Sequence, residues 1–311
     1  MNFTVFKYAR RLTGRLALVG LIGMASLGAA AEGRSVDTAF GKVTLEGTPT
    51  RVVALSENAL DVAVSVGAKP VGSVATRGGN DISAYLKDKV GDIKIVGTAR
   101  QTNLESVFAL KPDLILAPPD LAKNEYEKLS MIAPTIVPKA TSFQDWRINV
   151  ELYGAALGKE AETGASINRI DNRIEALKAH ITPGQVASVV RWNPQGPGIM
   201  SAHLFVGQLL KQLGFKPTAM AEELQSKPHS DPLSLENLSR IDGDWLFLST
   251  LNADGEQALQ TARQQPAFSR LRAVSEERAV SVDGQIWSSG ASGPLAVNVI
   301  LDDVEKAVSA Q

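Results

Sequence analysis

The residues able to do chemistry in this sequence are few and of one kind. Arg77, Arg100 and Arg191 each stand shortly after an apolar run, and Trp192, Asn193 and Trp287 stand in matching places among small hydroxyl residues. A guanidinium presents a planar fork of N–H donors that fits carboxylate or phosphate oxygens, and an indole offers a flat apolar face. Together they describe a resting place for a bulky anion rather than a reaction centre. His180, His203 and His229 lack the spacing of a zinc site, and no G-x-S-x-G elbow occurs. His203 stands at a helix start and is a further candidate for the ligand wall. Cysteine is absent, which removes disulfides, thiolate metal sites, thiol nucleophiles and a lipid-bearing N-terminal Cys together. No catalytic constellation emerges and no cofactor is called for; the expectation is a binding protein, not an enzyme.

Such residues need a scaffold that brings them to one place. Arg51–Leu55 reads as a buried strand, Ser56 as the cap of a helix over Asn58–Val66, and Pro70–Val74 and Lys94–Val96 as further strands. Leu104–Leu110 reads as a helix behind Asn103, and Asp113–Ala117 as a fourth strand. The same grammar restarts at Val186–Val190 and runs through helix Leu204–Leu213, a short helix Leu235–Ile241, strands Asp244–Leu248 and Ala279–Val282, and a last helix Pro294–Val308. Strands alternating with helices imply βαβ units and largely parallel sheets. Between the halves, Ile167, Ile170, Ile174 and Leu177 keep a 3-4-3 stripe on one helix, which predicts a helix bridging two α/β lobes. In open sheets of this type, ligands collect outside the carboxyl ends of the strands. That rule nominates Ser56-Glu57-Asn58, Ala75-Thr76-Arg77, Arg100 and Pro118-Pro119-Asp120 in the first lobe, and Arg191-Trp192-Asn193, His229-Ser230-Asp231, Ser249-Thr250 and Trp287-Ser288-Ser289 in the second.

The N-terminus has a separate purpose. Lys7, Arg10, Arg11 and Arg15 precede an apolar run, Leu16–Leu27, that ends in Gly28-Ala29-Ala30-Ala31. A basic start, an apolar run of about a dozen residues and an A-x-A signal describe an export leader, too short for a membrane span. Over the whole chain of 311 residues, 32 Lys and Arg stand against 33 Asp and Glu, a net charge of −1. Cleavage after Ala31 removes four positive and no negative charges, taking that −1 to −5. A mildly acidic chain argues against nucleic acid as partner. The expected division is a signal peptide over 1–31, an N-terminal lobe over 32–142, inter-lobe helices over 143–182, a C-terminal lobe over 183–293 and a closing helix over 294–311.

Several blocks of the sequence are familiar as an ordered set. Arg51-Val52-Val53-Ala54-Leu55, Gly97-Thr98, Asn103-Leu104-Glu105 and Ala109-Leu110-Lys111-Pro112-Asp113-Leu114-Ile115-Leu116-Ala117 resemble the periplasmic substrate-binding proteins of ABC importers. Phe40–Leu45, Ile132-Ala133-Pro134 and Ser281-Val282-Asp283 belong to the same pattern. The resemblance, which spans about residues 36–308, is to the ferric-siderophore and cobalamin class, and within it to the ferric-dicitrate-binding group. It implies an α/β fold of two lobes with mostly parallel central sheets joined by a single long helix, the class III periplasmic-binding-protein fold, with the helix near Lys159–Ile181. It also implies a soluble, monomeric protein of a Gram-negative periplasm that holds a ferric siderophore, the iron wrapped by its chelator. Trp287 falls where the hydroxamate-siderophore binder has a ligand-contacting Trp. The arginine usual two residues after the "VGT" glycine is Ala99 here, with Arg100 following. Ser288-Ser289-Gly290 replace the final-loop arginines of the ferric-dicitrate protein, which counts against ferric dicitrate itself. Counting along the family pattern, Glu127 and Glu236 match the carboxylates, one per lobe, that dock on an inner-membrane ABC permease. Cobalamin or haem on the same fold is the alternative ligand reading; an exported hydrolase would need a nucleophile and base that the sequence lacks.

Overall fold

Short runs of Val, Ile and Leu that are buried on both faces suit the interior of a parallel sheet, and two such sheets organise the molecule. The computed structural model describes residues 33–139 and 145–309; the export leader over 1–31 and the start of the inter-lobe segment at Phe143 lie outside them. In the N-terminal lobe, five parallel strands run in the order Lys94–Ile95, Gly72–Ser73, Val52–Ala54, Leu114–Leu116 and Thr135–Ile136. In the C-terminal lobe, Val186–Asn193 is central. It pairs in parallel with Trp245–Thr250, which pairs in parallel with Ala279–Asp283. Lys216–Pro217 adds a short parallel pairing at its start.

The sequence patterns account for most of these elements. Ser56 caps helix Glu57–Ser65 by accepting from Ala59 N, Asn103 does the same for Leu104–Ala109, and Asn252 for Ala253–Arg263. Gly158, at φ +67°, ends helix Trp146–Leu157 and frees the chain to start the long helix Glu160–Lys178. Ile167, Ile170, Ile174 and Leu177 of that helix are all buried.

That stripe belongs to a single apolar core reaching both lobes. It includes Leu60 of the first lobe, Val189 and Phe247 of the second, and Ile300 and Leu301 of the closing helix Pro294–Ser309. Each lobe keeps a second, smaller core on the far face of its sheet. Trp146 meets Phe205 edge to face across this core at 5.7 Å, and Arg173 of the long helix bonds Asn298 and Asp302 of the closing helix. The long helix is therefore packed along much of its length.

Several elements escaped the sequence pattern, antiparallel pairings among them. Arg34–Thr38 and Gly41–Leu45 form an antiparallel hairpin. Gly196–Ile199 adds an antiparallel edge to the second sheet, pairing with Val190–Asn193. Pro197 within it is tolerated because the strand lies at the edge of the sheet. The Leu235–Ile241 segment is a 3-10 helix. Among the described residues no helix is long and apolar enough to cross a membrane.

Candidate functional site

The carboxyl ends of the two sheets border one open cleft of about 980 Å³, lined from both lobes. Arg77 enters from the loop after Gly72–Ser73, and Arg100 from the tip of a tight hairpin in which Gly97–Thr98 pairs with Gln101–Thr102. That hairpin requires Gly97: at φ +141°, a Cβ would lie 2.3 Å from the Gln101 carbonyl oxygen. Thr98 Oγ1 accepts from the backbone N–H groups of Arg100 and Gln101, fixing the tip. Opposite them, Arg191 and Asn193 close the long strand Val186–Asn193, and His203 stands just before helix Phe205–Gln212. The structure thus brings Arg77, Arg100, Arg191, Asn193 and His203 to one cleft, with Ala99 beside Arg100.

Neither tryptophan reaches that cleft, which corrects the sequence expectation for both. Side chains alternate along a strand, so Trp192 points away from the cleft that Arg191 and Asn193 face. Its ring is buried and meets Phe268 edge to face at 5.9 Å in the far core of the second lobe. Trp287 ends the short helix Gly284–Trp287, is 1% exposed, and stacks on Phe247 at 4.6 Å. Its Nε1 donates to Asp303 of the closing helix at 2.9 Å. The indole is a structural bolt between sheet and closing helix. Glu127 and Glu236 lie outside the cleft, exposed on helix Lys123–Ser130 and on the 3-10 helix.

The electrostatics of the wall are one-sided. His229, which the sequence reading placed at the cleft, and Lys227, which it missed, line it as well, and no described lining residue is an Asp or Glu. Lys227 lies in a loop, Gln225–Pro228, that has no strand before it and so escaped a rule based on strand ends. Arg191 is half-buried, and its Nε makes no hydrogen bond. Burial, and then the nearby charge of Arg77, depress its pKa. Two guanidinium groups from opposite lobes therefore face each other without a carboxylate between them, an arrangement that an incoming anion would relieve. His203 Nε2 lies 3.0 Å from the Glu222 carbonyl oxygen and so carries a proton toward it.

A smaller chamber of about 150 Å³ opens behind the wall, sharing Thr76, Arg77, Ala99, Ser289 and Gly290 with the cleft. The carboxylates of the region, Glu57 and Asp120, are here. Thr76 Oγ1 donates to Glu57 Oε2, while Glu57 Oε1 is buried and accepts nothing. Burial raises the Glu57 pKa to about 7, helped by the charges of Asp61 and Asp283 and opposed by the Thr76 bond. Among the described residues, no group of three or more His, Asp or Glu is placed to hold a metal ion.

Comparison with known proteins agrees with this architecture. The family model for "Periplasmic binding protein" matches residues 52–286. The "Probable siderophore-binding lipoprotein YfiY" of Bacillus subtilis is 31% identical over 283 residues, 88% of this chain and 86% of that protein. The "Fe(3+) dicitrate-binding periplasmic protein FecB" of Escherichia coli is 27% identical over 258 residues, 82% of this chain and 83% of that one. The solved structure of Staphylococcus aureus SirA complexed with staphyloferrin B superposes with a TM-score of 0.75 at 29% identity, covering 89% of this chain and 98% of that one. A two-lobed scaffold, a cleft built at the strand ends and these matches lead to one statement: the chain belongs to the periplasmic binding protein family, as a binding protein and not an enzyme.

Proposed function

We propose that this chain captures an anionic ferric siderophore in its inter-lobe cleft, outside the cytoplasm, and hands it to an ABC permease. The observation that carries this is the facing of Arg77 and Arg191 across the cleft, with no carboxylate on the described wall. The relatives named for siderophores and for ferric dicitrate support the same reading. No resident cofactor is needed, since the iron travels inside its chelator.

Titration of the intrinsic fluorescence tests it. Trp192 is adjacent in sequence to Arg191 and Asn193, which line the cleft, so a coloured ferric complex in the cleft should quench it by energy transfer while the iron-free chelator leaves emission unchanged. Absence of quenching with carboxylate, catecholate and hydroxamate complexes alike would overturn the reading. A haem Soret shift lost on changing His203 or His229 would replace it with the haem alternative.

Delivery is proposed to use Glu127 and Glu236, one exposed carboxylate on each lobe. Exposed charges orient a partner more than they hold it. The double change Glu127→Ala/Glu236→Ala is therefore expected to leave siderophore affinity intact and to reduce uptake by cells. Full uptake by the double variant would remove both residues from docking.

A further inference from the structure

We propose that the cleft is selective for carboxylate siderophores, chelators that hold iron through α-hydroxycarboxylate and carboxylate oxygens, over catecholate and hydroxamate ones. This rests on the siderophore reading above and goes beyond it by naming the ligand class. Arg77, Arg100, Arg191, Lys227, His203 and His229 line the cleft, and among the described lining residues there is neither an acid nor a Phe, Tyr or Trp.

The charge is not quenched from behind. None of the three arginines has a hydrogen-bond or ion-pair partner for its side chain among the described residues. The carboxylates within reach of the other basic groups are Asp231, 3.9 Å from Lys227, and Glu222, 3.8 Å from His203, and neither lines the cleft. Unpaired positive charge is thus concentrated along one cleft, beside the apolar side chains of Met200, Leu204, Pro228 and Leu251. The remaining lining groups are mostly hydroxyls and amides, such as Asn80, Thr98, Asn193, Ser201, Gln225 and Ser226.

Each ligand class presents a different outer surface to such a wall. A tris-hydroxamate complex of ferric iron is neutral at its core, so four fixed cations gain it little. A tris-catecholate complex is trianionic, yet its oxygens are turned inward to the metal and its exterior is ring faces and edges. Those rings would meet donors that they cannot satisfy, and buried donors left unpaired are costly. A carboxylate binds iron through one oxygen and leaves the other outside, where a guanidinium, a hydroxyl or an amide N–H can reach it. In this class the negative charge itself sits on outward acceptors. The final loop, Ser288-Ser289-Gly290, lacks cations; Arg100 and Lys227 supply them from other loops.

Competitive fluorescence titration of the full chain after leader removal decides the matter. The probes are ferric staphyloferrin B and ferric dicitrate for carboxylates, ferric bacillibactin for catecholates and ferrioxamine B for hydroxamates. At least one carboxylate complex should bind roughly 100-fold or more tightly than the last two, a difference set by unsatisfied donors and lost charge. Changing Arg100→Gln or Lys227→Gln should narrow that gap by about tenfold each, with ferrioxamine B affinity unmoved. Equal or tighter binding of bacillibactin or ferrioxamine B would overturn the class assignment and leave siderophore capture standing. Quenching by none of the four would bring down both.

Discussion

Replacing Arg77 and Arg191 together by glutamine should weaken capture of an anionic ferric siderophore by roughly 3–5 kcal/mol, between about 10² and 10⁴-fold. Each guanidinium can make charge-assisted bonds to the ligand that glutamine replaces only with neutral ones. The two residues come from different lobes, so one anion touching both would tie the lobes together. Their single substitutions should therefore not add: with one arginine gone, the ligand loses its span and the second contributes less. The unliganded protein should respond in the opposite sense. Arg191 is half-buried, lacks a partner at Nε and feels the charge of Arg77, so either change relieves a cost carried for function. The check is to measure affinity and the melting temperature of the unliganded protein for both single variants and the double. An unchanged affinity in the double variant would move the binding site away from this arginine pair.

How far such a site can be read from a sequence depends on which physical rule places each residue. Arg77 and Arg191 were legible because loops after parallel strands must gather at one end of a sheet. Trp192 was misplaced by the same rule, since nearness to a strand end says nothing about facing; the two-residue alternation along Val186–Asn193 did, and it turns the indole inward. Trp287 stood among serines and glycines, which resembled a solvent-facing loop, but its partners Phe247 and Asp303 come from elements distant in the chain. Arg100 follows a glycine whose need for positive φ forms a tight hairpin, and only that geometry puts Arg100 at the tip. The bridging helix was plain from its 3-4-3 stripe, whereas the continuous core joining it to both lobes depends on tertiary pairing. Glu57 stood in a segment that the strand-end rule nominates, but its burial was not legible, because an acid in the first turn of a helix is ordinarily a favourable surface residue.

The largest effect on the scaffold is expected at Asp61, four residues along the same helix. Its carboxylate is fully buried and accepts from the backbone N–H groups of Leu295 and Ala296 and from Tyr85 Oη. It therefore joins the first lobe to the opening turn of the closing helix, and Gly293 lies so close that a Cβ there would fall 2.2 Å from the Asp61 Cγ. Asp61→Asn keeps the size but turns an N–H₂ toward backbone donors, so it should cost about 3–5 kcal/mol at pH 5 and less as Asp61 ionises at higher pH. Glu57→Gln should behave differently. The Glu57 carboxyl titrates at about 7 in the folded chain against 4.5 unfolded, and that of Asp61 at about 6 against 3.8. Folding raises both values, so the folded chain holds protons that the unfolded chain releases. The stability this gives is complete below about pH 4 and is lost as pH rises through 6 and 7. Wild-type protein should accordingly melt higher at pH 5 than at pH 8. Gln at position 57 stays neutral and can still accept the Thr76 bond, so Glu57→Gln should gain on the order of 2–3 kcal/mol over wild type at pH 8 and little at pH 5. Denaturant unfolding at both pH values separates the two carboxyls: a flat wild-type profile, or a Gln variant weaker than wild type at pH 8, would mean that Glu57 is held ionised by a compensating cation. The charges that act on it are those of Asp61 and Asp283, with Tyr85 beside it; Arg77 and Asp120 line the same chamber, and no ion pair joins Arg77 to Glu57 among the described residues.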